Sequence, residues 1–314
     1  MIHIENTTEF KTEADTAVTI GKFDGIHKGH AKILNEVLAH KTEGLLSAVF
    51  TFDTPPTSVF FKENQKVLTT NAEKRELFRT MGIDYLVEFP FYEKTAAISA
   101  EDFIEEFLVD SLHAKVIVVG SDCRFGHLGA GNAELLREYG ERYGYQTIVV
   151  EKECYQGQEI SSSRIRNELE HGSILDVNEM LLKPYTIYGE VVHGRKLGRT
   201  LGMPTVNQLP EPNKLLPPNG VYFSKVYCED RWYDGVTNIG CKPTVSGDEV
   251  RGVETYIYDF HGDVYGDSIS VSLLEYSRPE FKFSSVEELK AQMQSDIELG
   301  RGWHAKCMRD VKEM

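Results

Sequence analysis

The sequence predicts two domains of different fold class, an α/β domain followed by a small all-β domain. In the first half, short apolar segments alternate with segments whose apolar residues recur at helical spacing, as in a parallel sheet covered by helices. From Tyr185 onward, apolar segments follow one another closely and are separated by Gly, Pro, Asn and Asp. This second rhythm is typical of a small antiparallel barrel, and a length of 314 residues suits two cores.

The first half contains predicted strands joined by predicted helices. The strands are 17–20, 45–52, 85–87, 115–119 and 147–150. The helices are 31–40, 72–80, 100–111 and 132–142. Ligands of such sheets bind beyond the carboxyl ends of the strands, so functional residues are expected in the segments that directly follow them.

The second half contains further predicted strands, at 185–192, 221–227, 232–237, 253–258 and 269–276. Prolines between 210 and 218, followed by Asn219-Gly220, predict a loop and a turn. Ser285-Val286-Glu287-Glu288 is a capping-box pattern, which predicts a C-terminal helix. We place the domain boundary near Leu182-Lys183-Pro184, which gives domains 1–183 and 184–314.

The composition excludes several classes of protein. A net charge of −15 argues against nucleic-acid partners, because nucleic-acid binding needs a basic surface. The five cysteines are scattered and contain no CxxC pair, so neither a disulfide framework nor a zinc site is expected. Without a membrane-spanning apolar segment or a signal-peptide pattern, we expect a cytoplasmic protein with no membrane partner, and at most a weak homo-oligomer.

The segment Gly21–His30 (GKFDGIHKGH) directly follows one predicted strand and precedes a predicted helix. Its glycines let backbone N–H groups approach a phosphate chain closely. His27 and His30, three residues apart, can converge on that chain as cations or hydrogen-bond donors and stabilise a leaving pyrophosphate. Two alternatives stay open: a strand–turn–helix corner with surface histidines, and a zinc pair that lacks a clear third ligand.

A second glycine-rich segment, Gly198–Asn207 (GRTLGMPTVN), lies in the other half of the chain. It is not a P-loop, because Gly194–Thr200 is one residue too short and Arg199 stands where lysine belongs. Thr205 offers a hydroxyl and Asn207 a carbonyl oxygen, both suited to Mg²⁺. The first segment suits attack on the α-phosphate of a nucleotide, and the second suits transfer of the γ-phosphate. An isolated P-T-x-N sequence is also common at the start of an edge strand.

Two further segments carry candidate residues that have ordinary alternatives. Glu254 lies in a predicted strand, where a carboxylate can deprotonate a hydroxyl that attacks phosphorus or can simply face solvent. The serines at 161–163 precede a predicted helix from Arg164 to His171, where they can act as helix caps.

Taken in order, these segments resemble the bifunctional bacterial riboflavin kinase/FAD synthetase family, from about Thr16 to about Gly300. The resemblance implies a Rossmann-like HxGH nucleotidyltransferase domain, followed by a Greek-key-like antiparallel β-barrel of the riboflavin kinase type with a C-terminal helix. It implies that the barrel converts riboflavin and ATP to FMN and ADP. The α/β domain would then adenylylate FMN with a second ATP, giving FAD and pyrophosphate. Mg²⁺ is the implied metal, and ATP is a co-substrate.

The resemblance also implies roles for individual residues. The positions matching catalytic residues are Glu254 as the base, His27, His30 and Arg166. Flavin binding is implied for the segment GSDCRFG, at Asp122 and Phe125, and metal binding for Thr205 and Asn207. Nucleotide binding is implied at Gly21, Phe23, Asp24, Gly25, Gly29, Ser162, Ser163, Gly194, Gly198, Arg199, Gly202 and Pro204.

Two positions depart from the family pattern. Pro55 stands where relatives commonly have a histidine, and a proline side chain can neither donate a hydrogen bond nor carry charge. Cys123 stands where the family usually has phenylalanine. Two rival functions follow: a riboflavin kinase with a weak or inactive adenylyltransferase domain, and a non-catalytic flavin-sensing protein.

Overall fold

The computed structural model describes residues 1–55, 66–194, 197–243 and 249–310. The chain divides into two compact units, the N-terminal unit (Met1–Ser162) and the barrel unit (Ser163–Met314). Arg195 and Lys196, inside the Gly194–Thr200 segment considered above, lie outside the described residues.

The N-terminal unit is built around a parallel sheet. Its strands are β1 (Ile2–Glu5), β2 (Thr16–Ile20), β3 (Leu46–Phe52), β4 (Tyr85–Phe89), β5 (Ala114–Gly120) and β6 (Gln146–Val150). They lie in the order β1-β4-β3-β2-β5-β6. A short hairpin follows, formed by β7 (Cys154–Tyr155) and β8 (Gln158–Glu159).

The helices of this unit connect the strands. They are α1 (Lys28–Ala39), α2 (Asn71–Met81), α3 (Glu93–Ala96), α4 (Ala100–Asp102), a π-helix (Phe103–Ser111) and α5 (Ala133–Tyr143), with 3₁₀ turns at His40–Glu43 and His127–Gly129. Strands β2 and β4 are buried along their whole length, because helices cover both faces of the sheet. Phe50 on β3 is fully buried among the rings of Phe89 and Phe103.

The predicted α/β class and its strands are confirmed, although the hairpin β7–β8 and helix α3 were not predicted. Residues 2–5 form the edge strand β1, which was not predicted because its alternating polar residues leave it only partly buried. The predicted helix 100–111 is α-helical only over Ala100–Asp102 and continues as a π-helix.

The barrel unit contains a closed antiparallel barrel, as predicted. Its strands are β9 (Thr186–Val192), β10 (Val206–Pro210), β11 (Gly220–Cys228), β12 (Arg231–Pro243), β13 (Glu249–Ile257) and β14 (Ser268–Pro279). They close in the order β10-β13-β12-β11-β14-β9. The helices are α6 (Ser162–Glu170), which begins at the division between the units, α7 (Ile174–Met180), α8 (Leu197–Thr200) and α9 (Val286–Asp310).

Several details of the barrel unit differ from the prediction. Strand β10 and helix α7 were not predicted, and α6 begins two residues earlier than expected. Helix α9 begins where the capping-box pattern predicted, and Ser285 Oγ accepts a hydrogen bond from the N–H of Glu288 at 3.1 Å. The Glu288 carboxylate accepts from the N–H of Ser284 at 3.0 Å, one residue earlier than in a capping box.

Candidate active sites

The loop between β2 and α1 carries the N-terminal candidate site. Phe23 and Gly25 have positive φ angles of 49° and 62°. An added Cβ on Gly25 would lie 2.6 Å from Leu68 Cδ1, so this position requires glycine both for its backbone and for its packing. The Phe23 ring is 1% exposed and packs edge-on against Phe78, with centroids 5.6 Å apart. This ring supports the loop from the core, which leaves the Phe23 backbone for any nucleotide contact.

The two histidines of the loop are stacked on each other. Their ring centroids are 3.7 Å apart, with an interplanar angle of 17°. His27 is the N-cap of α1, because its Nδ1 accepts a hydrogen bond from the backbone N–H of His30 at 3.2 Å. The proton of the neutral His27 ring is therefore on Nε2, which can donate to a phosphate oxygen. At 8% exposure, His27 is not the surface histidine of the alternative interpretation.

Both imidazoles are neutral at neutral pH. Burial lowers the pKa of His27 to about 4, although the negative charge of Asp122 opposes that shift. Burial and the neighbouring His27 lower the pKa of His30 to about 3, against a hydrogen bond to the Gly25 backbone. Of the two modes left open by the sequence, hydrogen-bond donation is therefore the one that this loop offers before a polyanion arrives.

Two parts of the unit bind the loop that carries His27 and His30, which we call the histidine loop: the residues just before α2, and Ser162. Asp24 Oδ1 accepts hydrogen bonds from the N–H groups of Leu68 at 2.7 Å and Thr69 at 3.0 Å. The N–H of Gly25 donates to Thr69 Oγ1 at 3.1 Å. Ser162 Oγ donates to the backbone carbonyl of Asp24 at 2.7 Å, which brings the start of the serine segment to this loop.

Gly21 and Gly29 pack tightly against the groups that form the loop. An added Cβ on Gly21 would lie 2.9 Å from Phe23 Cε2, and one on Gly29 would lie 3.1 Å from His27 Nδ1. Ser163 and Arg166 lie on α6, beyond the division between the units. Their contacts with ATP stay predictions.

The two predicted flavin-binding residues, which both follow β5, differ in their exposure. Asp122 is exposed and pairs with Lys152 Nζ at 3.1 Å, and its charge acts on His27. The Phe125 ring is 5% exposed and lies in the core, with its centroid 5.5 Å from that of Phe103. Burial raises the pKa of Cys123 to about 12, so this thiol is neutral.

The segment that carries Pro55 leaves the sheet beside α2. Asp53 Oδ1 accepts a hydrogen bond from the N–H of Phe91 at 2.9 Å. The backbone carbonyl of Asp53 accepts from Asn71 Nδ2, in the first turn of α2, at 2.7 Å. Helix α2 therefore contacts the segments that follow both β2 and β3.

In the barrel unit, strand register brings three predicted residues together. Asn207 on β10 lies directly opposite Glu254 on β13, and directly opposed residues of antiparallel strands share a face. Thr205, just before β10, donates from Oγ1 to Glu254 Oε1 at 2.5 Å. A hydroxyl, an amide and a carboxylate thus meet at one place. Their oxygens are the kind of ligand that Mg²⁺ takes, so the residues present fit the implied metal.

Asn238 is a polar neighbour of this group that was not singled out from the sequence. It lies opposite Glu254 on β12, so Asn207, Glu254 and Asn238 form a row across three strands. Its neighbours Thr237 and Ile239 are both fully buried. The feature that could have identified Asn238 is an asparagine that stands between two residues of the core.

The glycines before β10 shape the backbone around the row. An added Cβ on Gly194 would lie 2.4 Å from Asn207 Nδ2, and one on Gly198 would lie 2.5 Å from the carbonyl oxygen of Met203. Gly202 has a φ of 81° and closes the turn after α8. Only residues without a side chain fit the first two positions without displacing these neighbours.

A cavity of about 520 Å³ opens beside Thr205. The predicted residues Arg199, Gly202 and Pro204 line it together with Thr205. Aromatic and acidic residues from the end of β13 and from the segment after it complete its wall, namely Tyr256, Asp259, Phe260, Asp263 and Tyr265. This cavity can accept a ligand that combines an aromatic ring with phosphate groups.

Comparison with known proteins matches each half of the chain to a different family model. A family model described as FAD synthetase matches residues 9–164, and one described as riboflavin kinase matches residues 181–304. A bifunctional riboflavin kinase/FMN adenylyltransferase of Listeria monocytogenes is 32% identical over 97% of this chain and 98% of its own. That of Escherichia coli is 36% identical over 89% of this chain and 90% of its own.

A solved structure has the same fold over nearly its whole length. It is named as a macrolide-efflux protein from Streptococcus pneumoniae, with a TM-score of 0.83 and 31% identity over 96% of this chain and 99% of its own. Across the parts of the present chain that the structure describes, none of the helices has both the length and the apolar character needed to cross a membrane.

Proposed function

The chain belongs to the bifunctional riboflavin kinase/FMN adenylyltransferase family, and from that premise we propose how its own residues divide the two reactions. The riboflavin kinase domain phosphorylates riboflavin with ATP to give FMN. The FAD synthetase domain adenylylates FMN with ATP to give FAD and pyrophosphate. We assign the two domains to residues 184–314 and 1–183, a division supported by the matched ranges 181–304 and 9–164.

In the kinase reaction, Glu254 is the general base. Its carboxylate takes the proton of the primary ribityl hydroxyl as that oxygen attacks the γ-phosphorus of ATP, and ADP leaves. The Thr205–Glu254 hydrogen bond of 2.5 Å is the observation that carries this proposal, since it fixes the carboxylate beside Asn207. Thr205 and Asn207 would hold Mg²⁺, which when bound neutralises phosphate charge. Arg199 faces the nucleotide from the wall of the cavity.

In the adenylyl transfer, an FMN phosphate oxygen attacks the α-phosphorus of ATP and pyrophosphate leaves. His27 donates from Nε2 to the phosphate chain and stabilises the charge that develops there, and His30 is stacked behind it. The glycines of the loop and Ser162, Ser163 and Arg166 bind the ATP phosphates, and Asp122 lies on the flavin side. Arrangement and hydrogen bonding suffice, because no covalent intermediate is needed.

The test compares how two variants affect the formation of the two products. Glu254→Gln keeps the shape of the side chain but removes its basicity, so single-turnover FMN formation should fall at least ~100-fold while FAD formation from supplied FMN persists. His27→Ala should do the reverse, with a loss of about 100-fold in FAD formation. Equal loss of both products in either folded variant contradicts the division. Wild-type protein that makes FMN but hardly any FAD would favour the kinase with a weak adenylyltransferase domain.

We also propose Mg²⁺ as the metal and the cytoplasm as the site of action, with riboflavin, FMN and ATP as the small-molecule ligands. None of the five cysteines, which the structure describes at Cys123, Cys154, Cys228, Cys241 and Cys307, forms a disulfide, and this suits a reducing compartment. Chelation with EDTA should stop both reactions, and added Mg²⁺ should restore them. Sedimentation at micromolar concentration tests the expected weak self-association.

A further inference from the structure

Lys74 is a buried lysine that forms no ion pair with any residue that the structure describes. It lies on α2, one turn after the N-cap Thr70, and is 5% exposed. Within the described ranges, its ammonium makes no hydrogen bond, and no carboxylate oxygen lies within 4.0 Å of it. Buried charges in proteins are normally paired, because burying an unpaired ammonium is costly. Stability alone therefore does not explain why a lysine occupies this position.

The surroundings of Lys74 connect it to the N-terminal site. The residues before α2 bind the Asp24 carboxylate, and Asn71 binds the carbonyl of Asp53, so the first turn of α2 joins the segments after β2 and β3. Lys74 follows one turn later and interacts electrostatically with both Asp24 and Asp53. Its positive charge therefore acts both on the segment that carries the two histidines and on the segment that carries Pro55.

The carboxylate that attracts Lys74 most strongly has other partners at one of its two oxygens. Glu88 is buried on β4, and its Oε2 accepts hydrogen bonds from Arg75 Nε at 2.6 Å and bonds to His3 Nε2 at 2.7 Å. Arg75 therefore pairs with Oε2 of Glu88, whereas Oε1 is buried without a hydrogen-bond partner among the described residues, and Glu88 also attracts the Lys74 ammonium. Burial lowers the pKa of Lys74, against the attraction of Glu88 and Asp24. This direction follows from burial, which disfavours the charged form of a lysine.

We propose that Lys74 is a positioning residue for adenylyl transfer, whose unpaired ammonium holds the Asp24 and Asp53 segments in place and balances the charge of the bound ATP polyphosphate. The inference rests on the assignment of adenylyl transfer to the N-terminal unit. Lys74 acts from within the fold and not by touching the substrate. It supplies a positive charge near a segment in which Pro55, unlike the histidine that is common in relatives, carries none.

A purely structural lysine and a positioning lysine differ in their effect on stability. Methionine has nearly the same length and no charge, so Lys74→Met removes a costly buried charge and should raise the melting temperature of the N-terminal unit. The same variant should lower kcat/KM for ATP in FAD formation at least about tenfold, because one positive charge is lost near the phosphates. The KM for FMN should stay within about twofold, since ATP carries the polyphosphate.

The experiment compares Lys74→Met with Lys74→Arg and a matched control in the full chain. Lys41→Met removes the same charge from an exposed lysine that pairs with Asp84 at 2.8 Å, and it should leave both activities unchanged. Lys74→Arg keeps the charge and should retain at least about a third of the FAD activity. FMN formation by the barrel unit of the same molecules reports the concentration of active protein.

Three results would overturn the inference: normal FAD formation by Lys74→Met, a lowered melting temperature with equal loss for both substrates, or an equal loss in Lys41→Met. His27→Ala is measured in parallel. If His27→Ala also leaves FAD formation intact, the proposed N-terminal site itself is wrong. If His27→Ala loses activity and Lys74→Met does not, only the role of Lys74 fails.

Discussion

The two units assemble their proposed ATP-phosphate sites by different means. In the N-terminal unit the groups lie in segments that follow parallel strands, and side chains such as Asp24 and Ser162 hold those segments by binding backbone groups. In the barrel unit the register of β10 against β13 sets Asn207 opposite Glu254. The loop site therefore depends on individual caps and tight glycines, whereas the barrel site depends on pairing along whole strands.

The units also differ in how charge is controlled. Burial keeps the imidazoles of His27 and His30 neutral. In the barrel, a hydroxyl donates directly to the carboxylate that we assign as the base. The barrel unit also contains one buried histidine with a lowered pKa, His304, but the N-terminal unit contains a stacked pair. Acid should therefore act first on the N-terminal unit, whereas a small displacement of one side chain should act most on the barrel row.

The largest expected effect is acid destabilisation of the N-terminal unit. The pKa of His27 falls from 6.5 in the unfolded chain to about 4 in the fold, so the unfolded state binds more protons between these values. The stability given by the neutral ring is fully present above pH 6.5, declines as the pH falls and is lost by about pH 4. For this one ring the loss is roughly 3 kcal/mol, and His30 adds to it.

The measurement uses the position of the tryptophans. Trp232 and Trp303 are the two tryptophans of the chain, and both lie in the barrel unit, so their fluorescence reports that unit alone. We expect the far-ultraviolet circular dichroism to fall at a higher pH than the tryptophan signal changes. Coincident transitions, or an unchanged profile in His27→Gln, would contradict this assignment.

Next in size is the effect of Gly194→Ala on the barrel row. The new Cβ would lie 2.4 Å from Asn207 Nδ2, so the amide must move away. Displacing a ligand-binding group by about an ångström should slow FMN formation roughly 30-fold, or about 2 kcal/mol. FAD formation from supplied FMN should not change. Wild-type FMN formation would show that Asn207 does not need its present position.

A smaller effect is expected for Ser162→Ala in the N-terminal unit. The variant removes the hydroxyl that binds the Asp24 carbonyl at 2.7 Å. One such hydrogen bond contributes about 1 kcal/mol, so FAD formation should fall roughly fivefold. Steady-state assays of both products test this, with FMN formation as the reference. A loss as large as that of His27→Ala would mean that the phosphate contact proposed for Ser162 is made by its hydroxyl and not by its backbone N–H.

The smallest effect is expected for Gly302→Ala, which is the matched glycine control for Gly194→Ala. Gly302 lies within α9, and nothing lies within 4 Å of an added Cβ there. Alanine in a helix interior should stabilise the barrel unit by about 1 kcal/mol and leave both reaction rates unchanged. Thermal unfolding followed by tryptophan fluorescence checks the sign.

Local patterns in the sequence were sufficient for most of the fold. Apolar periodicity identifies strands such as β3 and β11, because the positions of these strands that pack in the core must be apolar. Strand β10 was missed because Val206–Pro210 is short and contains polar residues, and its partners β9 and β13 determine its pairing from elsewhere in the chain. The edge strand β1 was missed for a similar reason.

The candidate sites were predictable where their residues are close in sequence. The spacing of His27 and His30 was informative, but it gives no protonation state, which follows from burial by distant residues. Asn238 and Lys74 were not found, since their positions depend on β12 against β13 and on α2 against two loops. Such contacts follow from packing rather than from any short pattern.

The order of strands in the barrel has a consequence for the newborn chain. Strand β9 must pair with β14 to close the barrel, yet β14 begins at Ser268, long after β9 ends at Val192. At a ribosomal rate of about 5–20 residues per second, this partner is made roughly 4–15 seconds later. The proposed FAD-forming domain ends at residue 183, so a chain whose translation stops between Val192 and Ser268 carries this domain whole and a kinase half that is open and unpaired. Premature termination therefore should not yield a chain that makes FMN.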